Sequence, residues 1–92
     1  MESSKEFKLI NGTFKPADAG ALIRNFYSEK IRYHNRQLLY MIETQQGDRS
    51  QVEAKIAELE STRQDISIFL ETKAQEDSFV EVKGSISITF NR

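Results

Sequence analysis

The spacing of apolar and polar positions along this chain changes period twice, from two residues to between three and four and back again. From Glu6 to Phe14 the pattern is short, apolar and rich in strand formers (Phe7, Leu9, Ile10, Phe14), with the turn-prone pair Asn11-Gly12 inside it. Only Thr13, Phe14 and Lys15 remain before Pro16 as a second arm. One strand over about 6–14 carrying a bulge is therefore favoured over a miniature hairpin.

Pro16 falls where a first helical position belongs, and Asp18 places a negative charge in the first turn, where the free N–H groups favour it. The helical pattern continues to about position 45, giving a helix of about 30 residues and roughly 45 Å. Ile23, Tyr27, Ile31, His34, Leu38 and Met41 or Ile42 share one face. Leu22, Phe26, Tyr33 and Tyr40 form a second stripe about 100° round the helix. An apolar arc this wide calls for cover on more than one side.

Gln46-Gly47-Asp48-Arg49 is the strongest turn signal, and Ser50 with Glu53 matches a capping box at the start of a second helix over about 50–75. In that helix Val52, Ile56, Leu59, Arg63, Ile66, Leu70 and Lys73 alternate in steps of four and three, a heptad-like seam of the kind found in coiled coils. A second line of mostly small residues, Ala54, Ala57, Ser61 and Ile68, leaves room for a close neighbour. Read antiparallel across the short loop, the seam sets Leu38 near Ile56, Ile31 near Arg63 and Ile23 near Leu70.

From about 78 to 91 the period drops to two. Val80, Val82, Gly84, Ile86, Ile88 and Phe90 alternate with Glu81, Lys83, Ser85, Ser87 and Thr89, as in a strand with one buried and one wet face. Gly84 marks a bulge or a close backbone approach. The helical hairpin returns the chain to its start, so the two strands run antiparallel. The expected fold is α+β, with the order β-α-α-β in one domain over 1–92.

A two-stranded ribbon is marginal alone and leaves open edges. A symmetric homodimer, making a four-stranded sheet or a four-helix bundle, would cover these surfaces without further sequence. The residues expected at such an interface are Leu22, Phe26, Tyr33 and Tyr40 on the first helix, Arg63 and Ile68 on the second, and Val82, Ile86 and Ile88 on the last strand.

Composition narrows the functional classes. With 92 residues, 38% hydrophobic and 29% charged, the chain has the balance of a small globular domain. Its net charge of −1 gives no global attraction to a polyanion. Charge is unevenly spread, however: four cations (Arg24, Lys30, Arg32, Arg36) face one acid, Glu29, between positions 24 and 37, whereas acids dominate from 48 to 77. Complementary charge along a helical seam accounts for this asymmetry. The absence of cysteine removes disulfides, thiolate metal sites and cysteine nucleophiles. No leader-like or membrane-length apolar run occurs in the sequence, so a cytoplasmic location is expected.

Little local chemistry is announced. His34 is the single histidine, and its helical neighbours Lys30, Ile31, Gln37 and Leu38 are not the usual companions of a metal ligand. As a general base it has only Tyr27, Tyr33, Glu60 or Asp65 to work with. Arg63 occupies an apolar seam position, where it either snorkels or pairs with an acid such as Glu29. Arg24, Arg32 and Arg36, with Tyr33 and Tyr40, form a candidate phosphate-binding and base-stacking surface, opposed by the acidity of the second helix. No phosphate loop, zinc motif or nucleophile elbow is present, and neither cofactor nor metal is expected.

The run Leu9-Ile10-Asn11-Gly12-Thr13-Phe14-Lys15-Pro16-Ala17-Asp18-Ala19, followed by Lys30-Ile31 and His34, resembles the opening of small uncharacterised bacterial proteins with a strand, helical hairpin and strand layout. That resemblance implies a bacterial source and no reaction. The leading expectation is a non-enzymatic protein-interaction or structural module acting as a homodimer, with room for a larger protein partner. The alternatives are a nucleic-acid-binding module using the basic face of the first helix, and an enzyme or small-ligand binder centred on His34.

Overall fold

The computed structural model describes residues 3–75 and 77–91. Its elements follow in the order β1 (Ser3–Phe14), α1 (Pro16–Thr44), α2 (Arg49–Lys73) and β2 (Val80–Phe90). The two strands form an antiparallel ribbon, and the two helices form a hairpin that leaves the ribbon and returns to it. The β-α-α-β order and the α+β class are those the sequence predicts.

Pro16 begins α1, as its fixed φ and missing N–H allow. The helix ends where Gln45 adopts a left-handed conformation and its N–H bonds to the Met41 carbonyl. Gly47 then takes a φ of 82°, which turns the chain back. The second helix starts earlier than the Ser50 cap expected: Asp48 is the N-cap, and its carboxylate accepts from the Ser50 N–H at 3.0 Å and from the Ser50 hydroxyl. These bonds hold the Asp48 carboxyl below its ordinary value of 3.8, the Ser50 hydroxyl contributing most.

The inner stripe of α1 and the seam of α2 face one another. Ala19, Ile31, Val52 and Leu59 are the buried hydrophobic residues, with Ile23, Tyr27, Leu38, Ile56, Ile66 and Leu70 half-buried around them. Across the hairpin Leu70 lies against Gly20, one turn from Ile23 on the same face of α1, and Arg63 bonds Ser28, one turn from Ile31. Ala19 and Gly20, small and buried, admit the Leu70 side chain there. Charge does not lace the seam: among the described residues the ion pairs are local, Glu29 with Arg32 at 2.8 Å and Glu81 with Lys83 at 2.9 Å.

The ribbon is continuous through Asn11-Gly12, and its irregularity falls at Leu9, between the Lys8–Ser85 and Ile10–Gly84 pairs. Gly12 stays in the strand with the Phe14 ring over it, 3.2 Å from where a Cβ would stand. Gly84 is a point of close approach, with the Ile10 Cγ2 methyl 3.4 Å from its Cβ direction. One face of the ribbon gathers Ile10, Gly12, Phe14, Val80, Val82 and Gly84, all half-buried. Along the remainder, Ser3–Leu9 and Ser85–Phe90, every residue is exposed.

Hairpin and ribbon therefore overlap over only part of their length. The Cα radius of gyration is 16.8 Å, against about 12 Å for a compact chain of this length. The accessible surface is 7524 Å², against about 5,500 Å² for a compact monomer of this mass. Among the described residues, no helix is long and apolar enough to cross a membrane.

Candidate interaction surface

Four-residue steps bring Leu22 and Phe26 to the ribbon side of α1, where they line an open groove with Leu9, Ile10, Val82 and Ile66. The groove has a volume of about 450 Å³. Lys83 borders it, and Lys30 lies 5.6 Å from the centre of the Phe26 ring, a cation over an aromatic face. Further along the same stripe, Tyr33 and Tyr40 are exposed, Tyr40 at 60%.

Of the residues expected at an interface, Leu22, Phe26, Tyr33, Tyr40, Ile68, Ile86 and Ile88 are exposed, whereas Val82 is half-buried at the groove floor. Arg63 is the exception. Its guanidinium is part-buried and donates to the Ser28 hydroxyl of α1 at 3.0 Å, while Glu29, the acid named as one possible partner, is engaged by Arg32.

Three exposed aromatic residues escaped the sequence reading of the surface. Phe69 is 62% exposed, Phe79 68% and Phe90 69%. Phe69 and Phe79 lie off the periodic stripes, and that misfit was the available signal: a large apolar side chain out of phase with its element's core face has to point outward. Phe90 is in phase with β2 but lies beyond the hairpin's reach.

The ribbon has two open edges of different quality. On β1 the edge is interrupted by the irregularity at Leu9 and flanked by Lys5, Glu6 and Lys8, devices that discourage strand addition. On β2 the pairing is regular throughout, and Gly84–Phe90 contains neither charge nor proline. Among the described residues each strand pairs only with the other, which leaves the outer side of β2 without a strand neighbour.

Of the basic and aromatic candidates on α1, Arg24 stands apart, whereas Tyr33, Arg36 and Tyr40 share one exposed face by their spacing. Arg24 lies toward α2, in a groove with Gly20, Ser67, Leu70 and Glu71, about 180° round α1 from Tyr33 at nine residues' separation. Arg32 is bonded to Glu29, and Arg36 and Tyr40 are exposed. His34 bonds through Nδ1 to the Gln37 side-chain oxygen at 3.1 Å and meets the Tyr33 ring edge-on at 5.1 Å. Among the described residues, no three His, Asp or Glu side chains come together as metal ligands would. No family model, curated protein or solved structure matches this chain.

Proposed function

We propose that this protein is a non-enzymatic interaction module that works as a homodimer, offering its apolar surfaces first to a second copy and then to a larger protein partner. One observation carries the reading: about 2,000 Å² of surface beyond that of a compact chain of its mass. The excess belongs to one chain, so two copies carry roughly 4,000 Å² between them, within the total of roughly 2,000–5,000 Å² that obligate dimers bury. Its composition points the same way, because the large apolar side chains Phe7, Phe26, Phe69, Phe79, Ile86, Ile88 and Phe90 are all exposed.

Light scattering coupled to size exclusion tests it. At micromolar concentration the expected mass is twice the 10.6 kDa of one chain. A mass of one chain across that range overturns the homodimer.

A further inference from the structure

We propose that two copies join through β2, antiparallel about a two-fold axis at Ser87, to make one four-stranded sheet in the order β1-β2-β2-β1. This inference rests on the homodimer reading and specifies the surface that forms it.

Edge quality chooses the strand. A second copy can add to β2 over Gly84–Phe90 without desolvating a charge, whereas on β1 it would meet the irregularity at Leu9.

Side-chain pairing chooses the register. Centred on Ser87, the run is self-complementary: Ile86 faces Ile88, Ser85 faces Thr89, and Gly84 faces Phe90, an aromatic opposite a bare backbone. A centre one residue earlier would put Lys83 opposite Thr89 and Gly84 opposite Ile88. That register draws a charge into the pairing and loses the aromatic cover of the glycine.

Topology explains the uncovered half of the ribbon. Directly opposed residues on antiparallel strands point to the same face, so both helical hairpins lie on one side of the joined sheet. Antiparallel addition sets Gly84, at the margin of each covered end, opposite Phe90 at the exposed end of the other. Each hairpin then lies next to the apolar half that the partner's ribbon leaves bare, adding to the second layer a stable domain needs.

The cysteine-free chain allows a direct test. Ser85→Cys, Ser87→Cys and Thr89→Cys each place a thiol on the wet face of β2, and Ser61→Cys places one on the exposed side of α2. Under mild oxidation at micromolar protein, Ser87→Cys is expected to give the most covalent dimer. Ser85→Cys mixed with Thr89→Cys should exceed either alone. Separately, Ser87→Lys is expected to weaken the dimer several-fold by setting like charges opposite one another, and mixing it with Ser87→Glu should restore association. A dimer by light scattering in which Ser87→Cys cross-links no faster than Ser61→Cys overturns the β2 pairing and leaves the homodimer reading standing. A monomer overturns both.

Discussion

The Arg63 guanidinium crosses the helical hairpin and donates to the Ser28 hydroxyl at 3.0 Å, a charged group at an apolar seam position answered by a neutral one. A hydroxyl returns less of the desolvation cost than a carboxylate would. Arg63→Leu is therefore expected to stabilise the chain by about 1 kcal/mol through added apolar burial, a rise of roughly 4–8 °C in thermal midpoint. A lowered midpoint in calorimetry would show instead that the bond secures the register of the two helices.

Leu59 is 6% exposed and Ile31 7%, in an interior with few buried side chains. Leu59→Ala should cost about 2–4 kcal/mol, because the removed methyl groups leave a space the neighbouring helix fills only in part. Urea titration followed by circular dichroism measures this. A loss well under 1 kcal/mol would place the main source of stability outside the hairpin.

Gly47 holds a φ of 82°, and an added Cβ would stand 2.5 Å from the Met41 methyl. Gly47→Ala should destabilise by about 1–2 kcal/mol, the ordinary cost of a left-handed backbone for a residue with a Cβ. Gly47→Asn should lose less, since asparagine visits that region more readily. Equal losses for the two would shift the cause from backbone strain to the crowding of Met41.

Asp48 has a folded-state value below its ordinary 3.8, because the Ser50 hydroxyl and N–H bond the charged form. A depressed carboxyl contributes stability that is present above the unfolded value and is lost as pH falls through the folded one. Asp48→Ala should therefore lower the thermal midpoint at neutral pH and converge with the parent chain in acid, below pH 3.8. A constant gap from neutral pH into that range would remove ionisation from the explanation.

Much of this fold was legible because its determinants are local. The change of period at Pro16 and again near Val80 marks helices and strands, and Gln46-Gly47 marks the turn between the helices. What the sequence did not reveal depends on distant contacts. The contact of Leu70 with Gly20 joins residues fifty positions apart in sequence. The irregularity sits at Leu9, opposite the Gly84 segment, and not at the turn-prone Asn11-Gly12, because strand pairing overrides a local turn preference. At the candidate surface, Leu22, Phe26, Ile86 and Ile88 could be named from their spacing, whereas the Ser28 partner of Arg63 could not, because a neutral hydroxyl leaves no charge signal in the sequence.

The irregularity at Leu9 has a consequence for how far such a sheet can extend. A ribbon with two sound edges can add copies without limit, and Ser85–Phe90, uncharged and rich in strand formers, is the sort of segment from which fibrils grow. Here one edge is sound and the other is broken. In the proposed pairing, addition on the sound side would use up the good template in each chain and present the broken edge at both outer margins, so assembly would end at a pair.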